Sequence, residues 1–304
     1  MSAATAPSIA VADDAANVVA ATRAPRAVRR WSLIVGGTMV AVVLLAALLG
    51  PALAPYPPGE QLLELRLQTP GGGHPLGLDE LGRDVLSRLL FGARVSLAVG
   101  VAVVLLAGAL GTVIGALSGY ASGAVDALLM RLTDVVLAFP GILLAIALVA
   151  VLGPALSHVV LALAVIGWVG YARLVRGQVL KLREEEFVLA ARAAGMPARR
   201  IVARHVLPNV LPLLVVQATL GMAGAVLAEA GLSFLGLGQP PPGSSWGAMV
   251  NAGRAHLLDA PHVALFPGLA IVWTVLGLNF LGDGLVDALD PRRRAGQGGG
   301  RTPE

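Results

Sequence analysis

Groups able to do chemistry are few in this chain and widely spaced. Its five histidines are His74, His158, His205, His256 and His262, and no two have the H-E-x-x-H spacing of a helical zinc site. With no cysteine, a thiolate nucleophile, a Cys-ligated metal and a disulfide are all excluded. No G-x-S-x-G turn presents a serine nucleophile. A phosphate-cradling P-loop needs Gly followed by Lys, and the only lysine, Lys181, follows Leu180. The residues therefore predict no enzyme, no metal ligand set and no cofactor held by this chain. Two acids remain, Asp134 and Glu229, both in or beside apolar runs, where an ionisable group is costly and by default functional. A proton or ion relay is one reading of them. The other is local: Asp134 lies three residues after Arg131, in reach of an ion pair on one helix face, and Glu229 lies near the outer end of its run, in reach of water.

The elements that must carry these groups are apolar. Of 304 residues, 56% are hydrophobic and 13% charged, with mean hydropathy +0.79. A soluble domain carries about 25% charged residues, so a cytosolic enzyme is excluded, as is a disordered chain. Crossing a bilayer takes about 20 helical residues. Six runs have about that length: Trp31 to Ala54, Val95 to Tyr120, Val135 to Leu152, Val159 to Val175, Val210 to Ala228 and Val263 to Gly282. The first exceeds the apolar core of a cleaved signal peptide, about 7–15 residues, and reads as a retained anchor. With the N-terminus inside, 17 of the 22 basic residues fall on the cytoplasmic side, which predicts both termini in the cytoplasm. Arginines placed between apolar runs fit a membrane surface and not nucleic acid. The expected fold is all-α: a multi-pass membrane protein of six transmembrane helices. Its expected organisation is a disordered cytoplasmic tail over 1–30, a first transmembrane helix over 31–54, an extracytoplasmic segment over 55–93, a five-helix core over 94–290 and a cytoplasmic tail over 291–304.

The longest cytoplasmic loop, 177–208, reads GQVLKLREEEFVLAARAAGMPARRIVARHVLP. Leu182 to Ala194 is rich in helix formers, Gly195 stands where a helix-ending glycine belongs, and Pro197 fits the first turn of a second helix that Pro208 should end. The pattern predicts a helix–glycine–helix elbow on the inner membrane face. Its surface would be small and mildly apolar, with Phe187, Ala190, Ala191 and Ala194 open to the backbone of another protein. A solvated charged loop is the plainer alternative.

The elbow resembles the EAA loop of bacterial ABC importer permeases, E-A-A-x-x-x-G-x(9)-I-x-L-P. It appears here as Leu189-Ala190-Ala191, Gly195, His205 and Leu207-Pro208, with Leu189 in place of the motif Glu and His205 in place of Ile. Residues 74–97 (HPLGLDELGRDVLSRLLFGARVSL), 130–140 (MRLTDVVLAFP), 228–238 (AEAGLSFLGLG) and 282–292 (GDGLVDALDPR) resemble, in that order, the dipeptide, oligopeptide and nickel permease subfamily, in the subunit type with an extended first outer loop. The resemblance implies the type I importer fold and a permease subunit of an ATP-driven importer of di- or oligopeptides in the bacterial inner membrane. It implies four kinds of partner: a homologous second permease, two ATPase subunits that carry ATP and magnesium, an extracytoplasmic solute-binding protein and the lipid bilayer. It also implies an ATPase-coupling site at Glu184, Glu185, Glu186, Phe187, Ala190, Ala191, Ala194, Gly195 and Met196, where the upstream glutamates would replace the missing motif acid. The alternatives are an ion-gradient-driven transporter, or an ABC permease for nickel or another small solute.

Three further features complete the reading. Ala107, Gly111, Gly115 and Gly119 recur every four residues, a stripe for close helix packing within the chain or against a second permease. Pro140 is positioned to kink the third run. In the outer segment 239–261, Trp246 reads as an interfacial anchor. Met249, Ala252, Leu257 and Leu258 read there as the apolar side of a short surface helix, or as a cap over the bundle.

Overall fold

A computed structural model describes residues 26–240 and 243–289, with side chains from residue 31 onward. Most of the tail expected over 1–30, and all of that expected over 291–304, lies outside the described residues. Every regular element described is helical. Five helices are long and apolar enough to cross a membrane, and a bent pair, taken as one span, brings the number to six. This is the expected architecture, with altered limits.

Helix α1 spans Arg26–Leu53, starting before the expected Trp31. Helix α2, Val85–Ala121, begins ten residues earlier than its apolar run. Two things start it there. Asp84 caps its first turn, accepting from Ser87 N–H at 2.7 Å, and Val85, Ser87, Arg88, Gly92 and Ala93 are buried there. At 37 residues α2 is about 55 Å long, so its first turns stand clear of a hydrocarbon core of about 30 Å.

The segment between α1 and α2 is held by charge at its centre. Asp79, almost fully buried, accepts from Leu81 N–H and Arg83 N–H with one oxygen. Its other oxygen takes Arg83 Nε at 2.7 Å and faces Arg88 Nε at 3.5 Å. Beside it, buried His74 contacts Asp84 at 3.0 Å and stacks obliquely on Tyr56. His262 Nε2 lies 3.2 Å from the Leu78 carbonyl and joins the segment to the last helix.

The third apolar run is broken, not kinked. Helix α3, Gly123–Leu137, and helix α4, Gly141–Leu152, meet at 82°. Pro140 has no N–H to continue a helix and disfavours helical backbone at Phe139. Helix α5, Leu156–Leu182, outruns its expected end at Val175 by two turns. It packs on α2 along the glycine stripe. A β-carbon on Gly111 would meet the Trp168 carbonyl, and one on Gly115 would lie 2.9 Å from Val175 Cβ. One on Gly119 would lie 2.8 Å from Val179 Cβ. The stripe thus serves packing within the chain. Gly115→Val should separate α2 from α5 and cost about 1–3 kcal/mol by overpacking, read as a lower thermal midpoint of the purified protein in detergent.

After the elbow, helix α7 (Ala198–Ile201) passes through a wide turn, Val202–Val206, into helix α8, Leu207–Phe234. Pro208 therefore does not end the second helix. It lies in the first turn of α8, and the widened turn before it absorbs its missing donor. Helix α9, Trp246–Gly253, lies across the ends of α2, α8 and helix α10, His262–Leu289, remote from the elbow. Trp246 is not an interfacial anchor. Its ring is buried beside Gly92, and its Nε1 donates to the Leu89 carbonyl at 2.9 Å. Met249 is buried with it, whereas Leu257 and Leu258 lie beyond the helix and are exposed. Helix α9 is a cap.

Helix α1 packs against both α2 and α10. Gly50 meets Leu90 of α2, Gly277 of α10 meets Met39, and Gly284 meets Leu33. The start of α1, the end of α10 and the elbow consequently share one end of the bundle.

Candidate functional site

The elbow is an exposed lip on a buried base. After α5 ends at Leu182, a turn leads into helix α6, Glu186–Ala193. Gly195 ends it as its position predicts. At φ +74° it occupies the left-handed region, its N–H donating to the Arg192 carbonyl at 3.0 Å. The next N–H, of Met196, donates to the Ala191 carbonyl at 3.1 Å. The chain then reverses at Pro197 into α7.

The nine residues expected to couple divide into two sets. Glu184, Glu185, Glu186, Phe187, Ala190, Ala194 and Gly195 are exposed together on one side. Ala191 and Met196 turn inward onto a cluster built from Ala116, Val175, Val179, Val188, Ile201, Val206 and Val210. Val188, Ile201 and Val206 are fully buried. The element is therefore a rigid extension of α2, α5 and α8 and not a loose loop. Leu189, in place of the motif Glu, is 43% exposed and joins the outer apolar surface. His205, in place of the motif Ile, sits 6.5 Å from the Phe187 ring with its Nε2 buried and unpaired.

Sequence reasoning missed the residues that lock the elbow to the bundle. Arg183 Nη1 donates to the Gly119 carbonyl at 3.2 Å and to Ser122 Oγ, at the junction of α2 and α3. Arg192 of α6 lies over the Tyr120 ring, 5.7 Å from its centroid. Arg176 pairs bidentately with Asp126 at 2.6 and 2.7 Å, and Ser118 donates to the same carboxylate. The one signal in the sequence was the run of basic residues itself, which names no partner.

Both membrane acids have other partners than expected. Asp134 pairs with Arg173 of α5 at 2.7 Å, not with Arg131. Glu229 does not reach water. It is fully buried, accepting from Ser233 Oγ at 2.6 Å and from Ser96 Oγ of α2 at 3.4 Å. These bonds tie α8 to α2 at the end of the bundle remote from the elbow.

Residues 111–295 match the family described as binding-protein-dependent transport system inner membrane component. The dipeptide transport system permease protein DppC of Alkalihalophilus pseudofirmus is 45% identical over 86% of this chain and 86% of its own length. The glutathione transport system permease protein GsiD of Pectobacterium atrosepticum is 43% identical over 89% of this chain and 90% of its own. Among solved structures, an inward-facing form of the methionine ABC transporter MetNI superposes with a TM-score of 0.55 at 21% identity. It covers 66% of this chain and 96% of that one, a likeness of fold.

Proposed function

Because the chain belongs to the binding-protein-dependent transport system inner membrane components, as a permease subunit of an ABC importer, we propose that it imports peptides and that the elbow at 183–206 receives an ATPase subunit. The dipeptide and glutathione transport systems to which these relatives belong support a peptide or peptide-like cargo. One observation carries the docking reading: Phe187, Ala190 and Ala194 form an exposed small-residue surface on a rigid, fully buried base. A partner that moves α6 moves α2, α5 and α8 with it.

The assembled importer comprises this chain, a homologous second permease, two ATPase subunits holding ATP and magnesium, and an extracytoplasmic binding protein. It resides in the bacterial inner membrane with both termini of this chain cytoplasmic, the orientation favoured by 17 of 22 basic residues. Closure of the ATPase pair shifts the bundle between two rigid arrangements, open to one side or the other.

Uptake of a labelled dipeptide into cells carrying the whole importer tests this. Collapsing ion gradients while ATP is maintained should leave uptake intact, and ATP depletion should stop it. Uptake that follows the gradient and not ATP rejects the proposal.

A further inference from the structure

We infer that the Arg173–Asp134 pair faces the water of the translocation pathway, and that Arg173 serves there as the passing counter-charge for a substrate carboxylate. The pair joins α5 to α3 at 2.7 Å, yet its side chains are 48% and 60% exposed. Arg173 is nine residues from the end of α5 and 17 from its start, about 13 Å and about 25 Å along the axis. It therefore lies at the inner end of the apolar part of the crossing, two residues inside Val175. An ion pair half-open at that depth is costly against hydrocarbon, so the face bearing it borders water or protein.

The surroundings favour water. On α5 the exposed positions either side of Arg173 are Gly170 and Gly177, at helical spacing on one face. A β-carbon on Gly177 would meet nothing within 4 Å, and one on Gly170 would meet only the Gln217 amide at 3.6 Å. The opposite side of α5 is the one sealed against α2. Toward the centre of the bundle the open face continues into a cleft lined by Gly141, Gly167, Gly221 and Gly224, where the third crossing breaks. Arg131, three residues before Asp134 on α3, is also exposed. Two arginines and one aspartate leave this face net positive, which suits a solute with a free carboxylate. The substrate class rests on the peptide-import reading above; the exposure to water does not.

The chain has no cysteine, so a single introduced thiol reports its own position. Gly170→Cys, Gly177→Cys and Leu45→Cys are compared in inside-out vesicles carrying the assembled importer, with a membrane-impermeant thiol reagent. Leu45, 54% exposed in the middle of α1, is the apolar control away from α5. The two glycine positions should label at least about tenfold faster than Leu45, since the reacting thiolate needs water, and ATP added outside with dipeptide and binding protein enclosed should slow that labelling. Labelling only by a lipid-soluble maleimide, or none, overturns the inference. In whole cells carrying the same importers Arg173→Gln should reduce ATP-driven dipeptide uptake at least about fivefold while Arg173→Lys keeps more than about half. Equal losses in both variants overturn the counter-charge role. Absence of dipeptide uptake in the unmodified importer would strike the peptide-import reading alone, and the labelling pattern would still decide whether this face is wet.

Discussion

Ala190→Arg is expected to reduce ATP-driven uptake at least about tenfold, equivalent to about 1.4 kcal/mol of lost coupling, with normal amounts of permease in the membrane. Ala190 is exposed on α6 between Phe187 and Ala194, so a long cation there is accommodated without a clash and can pair with Glu186 one turn before it. It would stand where a partner's backbone has to come close, at the centre of the small-residue surface, where truncation or intrusion has its largest effect. The neighbouring Ala191→Asp should behave differently. Ala191 packs on the Val188–Ile201–Val206 cluster, and a carboxylate placed there without a partner destabilises the fold itself. The first variant should thus give a full complement of inactive permease, and the second a reduced amount. Quantifying both chains in membranes beside uptake separates docking from stability. Normal uptake with Ala190→Arg removes the docking reading of α6.

Asp79→Ala should have the largest effect on stability. Removing this carboxylate strands Arg83 and Arg88, whose side chains are 7% and 4% exposed, and deprives two backbone N–H groups of their acceptor. Breaking one partner out of a buried ionic cluster costs about 3–5 kcal/mol. Arg88 Nη1 is already buried without a hydrogen-bond partner, so little is left to compensate. The loss should appear as protease cutting between α1 and α2 from the outer side and as a lower thermal midpoint. Asp79→Asn keeps an acceptor for the two N–H groups and loses only the charge, so its effect should be smaller. Equal resistance of all three proteins to protease would show that the outer segment is held by its apolar contacts instead.

These outcomes mark what could be read from residue order. Run length located the crossings, since a bilayer imposes about 20 apolar residues on each. The elbow was legible because its signals are local: a glycine that must turn left-handed, with a proline two residues later. Pro140 was legible as a perturbation, but its size, an 82° break, depends on how α3 and α4 pack. What escaped was every pairing across the bundle. Asp134 was assigned to Arg131 on its own helix, Glu229 to water and Trp246 to the lipid surface, each the nearest available partner. The true partners are 39 residues away for Asp134, 133 for Ser96 and Glu229, and 157 for Trp246 and Leu89. In a soluble protein the apolar stripe of a helix marks its packed side. Here lipid-facing and core-facing sides are both apolar, so periodicity cannot say which side meets a neighbour. For that reason Ala191 and Met196, though rightly placed in the elbow, could not be told apart from the exposed Ala190.

The seating of α1 has a consequence for how the protein is made. Gly36 lies backbone-to-backbone with α10 near Phe280 and Leu281, and Trp273 Nε1 donates to the Met39 carbonyl at 3.2 Å. Helix α1, synthesised well before α10, therefore finds one of its main neighbours only when α10 follows. Until then it must wait in the lipid with the glycine notch at Gly36 unfilled, which calls for a segment insoluble enough to stay inserted alone. Co-translational insertion thus sets a demand on α1 that the finished bundle no longer makes.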